Sequence, residues 1–231
     1  MKDIPKLFVA IDESDESIAR KIIENLPSDK CGIKVGKELF TACGPKIIDW
    51  IKIKGFEIFL DLKYHDIPNT VKKACYVASE MGVSILNVHA LGGSDMMTSA
   101  REGVDKSNSD PYLIAVTLLT SIDSNTLKKI GFTSSIEDQI ANLAISASHS
   151  NLDGIVCSAN DIVHVKKFLP KNFLYVTPGI RFNEDPNDDQ KRITTPLDAM
   201  KKGSNILIMG RSITEAKNPA NIIDKILNPI M

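Results

Sequence analysis

An apolar run, Ile58-Phe59-Leu60, stops in a cluster of ionisable side chains: Asp61, Lys63, His65 and Asp66. Asp61, Lys63 and Asp66 would make a rigidly mounted Asp/Lys/Asp cluster, residue types suited to electrostatic and acid–base chemistry. If residues 57–63 form a strand, side chains two apart share a face, so Asp61 and Lys63 point the same way from its carboxyl end. Asp66 lies in the turn that begins the next helix. Pro68 suits the first helical turn, and Asp66 or Asn69 is positioned to cap its free amides. A lone Asp-x-Lys would read as a surface ion pair worth little. The whole string from Asp61 to Thr70 is much rarer.

Other runs supply the elements that must hold such a cluster. Leu7–Ile11 reads as a strand closed by Asp12, and Ile18, Ala19, Ile22, Ile23 and Leu26 follow at helical spacing. The same alternation recurs down the chain. Strands are expected over 31–35, 57–63, 85–89, 112–118, 154–157, 173–177 and 205–209. Helices are expected after most of them, including one through Val71, Ala74, Val77, Ala78 and Met81 and a last one over 219–227. Eight apolar strands alternating with helices imply parallel strands joined by helical crossovers, and eight such units in 231 residues match a (β/α)8 TIM barrel. A doubly wound open sheet is the alternative, but no Gly-x-Gly-x-x-Gly follows the first strand. The expected architecture is one α/β barrel domain spanning residues 1–231.

Barrel active sites are built at the carboxyl ends of the strands. Asp12, Lys34, Asp61, Lys63, His89, Thr120, Arg181, Gly210 and Arg211 all fall at such ends or just beyond them. Asp12 could equally be a helix cap, and His89 a satisfied core histidine. Lys34, inside Gly32-Ile33-Lys34-Val35-Gly36, needs a buried partner. Pro178-Gly179-Ile180-Arg181 and Met209-Gly210-Arg211-Ser212 follow strands seven and eight, where barrels often bind phosphate. Glycine lets backbone amides approach an anion and the arginine fork supplies paired donors. Between them, Arg181 to Arg192 is polar and turn-rich and reads as a loop over the mouth, with Gln190 its candidate ligand contact.

Composition narrows the partners. Twenty-eight basic residues balance twenty-nine acidic ones, for a net charge of −1, so no overall field favours nucleic acid or an anionic membrane. A small-molecule partner fits better. Neither a signal-peptide pattern nor a membrane-length apolar run is visible. The four scattered cysteines suggest neither a zinc site nor a disulfide framework, and a cytoplasmic location is expected.

Taken together, Val9-Ala10-Ile11-Asp12, Ile33-Lys34-Val35-Gly36, the string Asp61-Leu62-Lys63-Tyr64-His65-Asp66-Ile67-Pro68-Asn69-Thr70, Asn87-Val88-His89-Ala90, Leu119-Thr120-Ser121, Pro178-Gly179-Ile180-Arg181, Gln190-Lys191-Arg192 and Gly210-Arg211 resemble the bacterial type of orotidine 5′-phosphate decarboxylase over essentially the whole chain. Asp-x-Lys-x-x-Asp alone is shared with related barrels acting on sugar phosphates; the longer set narrows the match. The resemblance implies a carboxy-lyase of pyrimidine biosynthesis that converts orotidine 5′-monophosphate to UMP and CO2 with no metal or organic cofactor. It further implies that Lys34, Asp61, Lys63 and Asp66 form the catalytic charged array, with Lys63 protonating C6. A homodimer would lend Asp66 and Thr70 to the neighbouring site, and Ile67 would also contact substrate. Asp12 and Lys34 would hold the ribose, Thr120 the pyrimidine, and Arg181, Gln190, Gly210 and Arg211 the phosphate. Ser212 stands where the family usually has proline, and Glu184–Asp189 makes an acidic version of the loop. A Mg2+-dependent keto-sugar-phosphate decarboxylase or aldolase of the same superfamily, and a non-catalytic nucleotide-binding barrel, are the competing expectations.

Overall fold

Eight short runs that are apolar on both faces pair edge to edge because strands covered on both sides must be apolar throughout. In a computed structural model, which describes residues 4–182 and 194–228, they close into a barrel in chain order, every pair parallel. The elements are β1 (Leu7–Ile11), α1 (Glu16–Glu24), β2 (Gly32–Gly36), α2 (Lys37–Cys43), α3 (Lys46–Ile53), β3 (Ile58–Tyr64), α4 (Pro68–Glu80) and β4 (Ile85–His89). There follow α5 (Gly93–Asp105), β5 (Tyr112–Val116), α6 (Ser124–Lys129), α7 (Ile136–His149), β6 (Gly154–Val156) and α8 (Ala159–Val165). The chain ends with β7 (Leu174–Thr177), α9 (Pro196–Lys202), β8 (Ile206–Met209), α10 (Arg211–Thr214) and α11 (Pro219–Leu227). The strands expected from sequence are all present, within two residues at their ends. Short α2, α6, α9 and α10 had no expected counterpart.

Alternation along each strand divides the apolar residues into two cores. Phe8, Phe59, Ile85, Ile114, Leu174, Val176 and Ile206 fill the inside of the barrel, with Phe8 and Phe59 edge to face at 6.3 Å. A larger set, including Ile33, Leu60, Leu86 and Ile155, packs outward against the helices. Gly32 and Gly154 lie where a side chain has no room: a Cβ on Gly32 would enter the Phe8 ring, and one on Gly154 would come 2.5 Å from the Leu174 carbonyl. The packed interior therefore forms a floor, and polar inward positions above it face the upper rim.

Helix starts fix how the rim loops enter. Asp15, not Asp12, caps α1, accepting from the amides of Ser17 and Ile18. That leaves Asp12 facing the mouth. The cap expected at α4 is absent: Ile67 occupies the N-cap position, Pro68 opens the helix, and Asp66 accepts from the neighbouring Ile67 amide at 2.6 Å. Proline at the first helical position removes one amide that a cap would have served. Among the described residues no helix is long and apolar enough to cross a membrane.

Candidate active site

Asp61 projects from the inner face of β3 just above the floor and is 9% exposed. A carboxylate so placed needs countercharge. It has two. The Lys63 ammonium lies 2.7 Å from Asp61 Oδ1, and the Lys34 ammonium, from β2, lies 3.4 Å from Oδ2 and 3.3 Å from Asp12 Oδ1. Lys34 thus has the buried partner that its position demanded. Burial alone would raise the Asp61 carboxyl, but Lys34, then Lys63, together with hydrogen bonds from Lys63 and Asn87, outweigh it and hold the group below the ordinary aspartate range. Asp61 is therefore a fixed anion between two cations.

Lys63 does not reach Asp61 through a regular pleat. Leu60 pairs with Leu86 and Tyr64 with Val88, so Asp61, Leu62 and Lys63 together face Asn87 across the ladder. The irregularity puts Lys63 at φ 54°, a left-handed conformation that non-glycine residues adopt at a cost of about 1–2 kcal/mol. Both side chains still reach the same cavity, but a bulge rather than simple two-residue alternation brings the charges together.

That cavity, about 890 Å3, opens at the carboxyl ends of the strands. Asp12, Lys34, Asp61, Lys63 and Thr120 line it, as do Gly179, Arg181, Gly210 and Arg211. Gly179 has φ 74°, which glycine adopts without penalty, and its carbonyl accepts from the Thr194 amide at 3.2 Å. The Arg181 amide in turn donates to the Thr194 carbonyl at 3.1 Å, so the two ends of the β7–α9 connection are tied together beside the cavity. Arg181 is 8% exposed and donates through Nη1 to Ser212 Oγ at 3.4 Å.

Comparison with known proteins places this geometry in a family. The family model described as "Orotidine 5′-phosphate decarboxylase / HUMPS family" matches residues 5–226. The chain belongs to that family. A relative in Saccharophagus degradans named orotidine 5′-phosphate decarboxylase is 46% identical over 222 residues, covering 96% of this chain and 93% of the relative. A Legionella pneumophila protein of the same name is 44% identical over 227 residues, covering 98% and 99%. A crystal structure of orotidine 5′-phosphate decarboxylase from Lactobacillus acidophilus superposes with a TM-score of 0.85 at 37% identity, covering 98% of this chain and 100% of that one.

Within the orotidine 5′-phosphate decarboxylase / HUMPS architecture, three of the sequence-derived site residues do not line the cavity of their own chain. Asp66, Ile67 and Thr70 sit on the β3–α4 connection and the first turn of α4, exposed; Ile67 is 67% exposed although apolar. Gln190 and the acidic run Glu184–Asp189 fall in 183–193, outside the described residues. His89 ends β4 with its Nδ1 accepting from the Leu91 amide at 3.3 Å and its ring stacked on His65 at 5.4 Å. Burial, then the neighbouring His65, Lys63 and Lys37, push His89 down to about 4, so it is neutral at neutral pH.

Asn87 entered the sequence reading only as part of the matching segment Asn87-Val88-His89-Ala90, with no role assigned, yet it contacts both members of the Asp61–Lys63 pair. A signal was available. A carboxamide inside the apolar strand Ile85-Leu86-Asn87-Val88 needs a buried partner for the same reason Lys34 does.

Proposed function

We propose that this chain, acting as a single barrel domain, decarboxylates orotidine 5′-monophosphate to UMP and CO2 without a metal or organic cofactor. The observation that carries the proposal is the Lys63 ammonium held 2.7 Å from a fully ionised Asp61, in a cavity also lined by Arg181 and Arg211. Departure of CO2 from C6 leaves an electron pair in the plane of the pyrimidine ring, where the π system cannot accept it. An ammonium pre-positioned at C6 lowers the energy of that charge and then supplies the proton. Lys63 has that role in this proposal, and Lys34 and Asp61 hold it in place. Asp61 beside the substrate carboxylate would repel it by roughly 4 kcal/mol at ~4 Å and an effective dielectric near 20, a repulsion that disappears as CO2 leaves.

The remaining assignments follow from the residues' positions and the family resemblance. Asp12 and Lys34 bind the ribose, and Thr120 lies near the pyrimidine. Arg181, Gln190, Gly210 and Arg211 bind the phosphate, whose binding energy is then available to offset the cost of ordering the reacting end. Asp66, Ile67 and Thr70 serve the site of a second copy in a homodimer; their exposure and their absence from their own chain's cavity support this. The enzyme works on a soluble nucleotide, in keeping with a cytoplasmic location and four free cysteines.

The Asp-x-Lys-x-x-Asp pattern leaves an Mg2+-dependent reaction on a keto-sugar phosphate as the second reading. Against it, both oxygens of Asp61 already face ammonium groups, which would oppose a cation there. The test is loss of orotidylate absorbance in excess EDTA. Turnover in chelator is the expected result, and turnover that appears only on adding Mg2+ would overturn the proposal.

A further inference from the structure

The side chain of Asn87 is fully buried on the inner face of β4, and both ends of its carboxamide are used on β3. Its Oδ1 accepts from the backbone amide of Lys63 at 2.7 Å. Its Nδ2 donates to Asp61 Oδ1, also at 2.7 Å, and that same oxygen accepts from the Lys63 ammonium. One planar group therefore closes a ring that runs from the main chain of Lys63, through Asn87 and Asp61, to the tip of the Lys63 side chain.

The ladder explains why this group is needed. Three residues of β3 face Asn87 alone, so the Lys63 amide is displaced from regular strand pairing, and its φ of 54° lies in a region that costs a lysine energy. A buried amide without a partner would add about 1–3 kcal/mol more. Asn87 supplies that partner and with it stabilises the bulge.

We infer that Asn87 is a positioning residue for the decarboxylation proposed above: its carboxamide fixes both the backbone of Lys63 and the Asp61 oxygen, and so sets where the ammonium stands relative to the reacting carbon. This rests on that proposed activity. Asn87 touches no substrate in this scheme and acts only through Lys63 and Asp61. Cutting its two bonds lets the ammonium shift while leaving Arg181 and Arg211, on the far side of the barrel, untouched. Misplacement on the order of 1 Å costs a reaction about 100-fold.

Two substitutions separate positioning from general support. Asn87→Leu keeps the approximate volume and removes both hydrogen bonds. Asn87→Asp keeps the shape: protonated, it accepts from the Lys63 amide and donates to Asp61; ionised, it has no donor and sets a second anion against the Asp61 oxygen. The charged and titratable groups around that position are Asp61 and Lys63 of β3, Lys34 of β2, and His89 two residues on. Burial and the Asp61 charge favour the protonated acid, and the Lys63 and Lys34 ammoniums oppose them.

The experiment measures kcat and KM for orotidylate, and Kd for UMP, across about pH 5 to 8, for the unaltered chain and both variants. For Asn87→Leu we expect kcat to fall about 100-fold with UMP affinity within about threefold, because the phosphate contacts are elsewhere. For Asn87→Asp, kcat relative to the unaltered chain should rise at least about tenfold as the pH is lowered through that range. Should Asn87→Leu not fold, the isosteric aspartate variant carries the test alone. A kcat within about threefold of normal in folded Asn87→Leu, or in Asn87→Asp at every pH of the range, would overturn the inference while leaving the decarboxylase proposal intact. No orotidylate turnover by the unaltered chain would overturn that proposal instead.

Discussion

Replacing Asp61 by asparagine removes one charge and almost no volume, so its effect on folding measures what the ion cluster contributes. At an effective dielectric near 20, the 2.7 Å and 3.4 Å contacts to Lys63 and Lys34 correspond to roughly 6 and 5 kcal/mol of attraction. The cost of burying the carboxylate, several kcal/mol, cancels much of that. Removing one member of a buried pair typically costs about 3–5 kcal/mol, because the partners stay behind uncompensated. Asparagine can still accept from Lys63 and pair with Asn87, so the lower end is expected: about 3 kcal/mol, or a fall in Tm of roughly 6–12 °C for a chain of this size. Ligand-free urea unfolding at pH 7, with thermal unfolding alongside, would measure it. Lys63→Met and the double variant complete a cycle whose coupling should be about 1–3 kcal/mol. The acid side supplies a second check. The folded Asp61 lies below its unfolded value, so its contribution is present above about pH 4 and is lost as the pH falls through the folded value; the gap between the two proteins should close there. If Asp61→Asn were as stable as the unaltered chain or more so, the cluster would be held against its own strain, and the balance described for Asp61 would be wrong.

Two other outcomes follow from the same geometry. His89, pushed down to about 4 in the folded chain against 6.5 unfolded, binds its proton more readily when unfolded, so stability should fall as the pH drops from about 6.5 toward 4. The ring is only half-buried, so after screening by solvent this is about 1–2 kcal/mol; His89→Asn should flatten the slope of unfolding free energy with pH, and identical slopes would remove His89 as the cause. For the shared site, Asp66→Ala and Lys63→Ala chains are each expected to be nearly inactive, but reassorted together they should recover about one-quarter of normal activity, from one intact site in the half of the dimers that are mixed. No recovery would count against a residue lent between copies.

Much of this fold was legible because apolar periodicity and strand burial are the same physical fact seen twice. β1 and β4 were delimited to the residue, and a lysine inside β2 already required a buried anion. Helices shorter than two turns, such as α2 and α10, were not, since so few residues give no period to read. At the site, the residue types at the strand ends pointed to the cavity, and the resemblance ordered them. The bulge did not show: φ at Lys63 depends on how β3 registers with a strand 24 residues away, which no local pattern carries. Asp12 was ambiguous between cap and site until Asp15 took the cap. Ser212 accepts from Arg181, a contact that no local pattern announced.

The role given to Lys63 is tested most directly by the single-turnover rate of orotidylate decarboxylation in Lys63→Ala, measured with UMP affinity on the same preparation. Loss of an acid and of the main fixed charge together should slow the reaction by ~10⁴-fold or more, with UMP binding largely kept. A rate near that of the unaltered chain would contradict the assignment of Lys63 to the developing charge at C6.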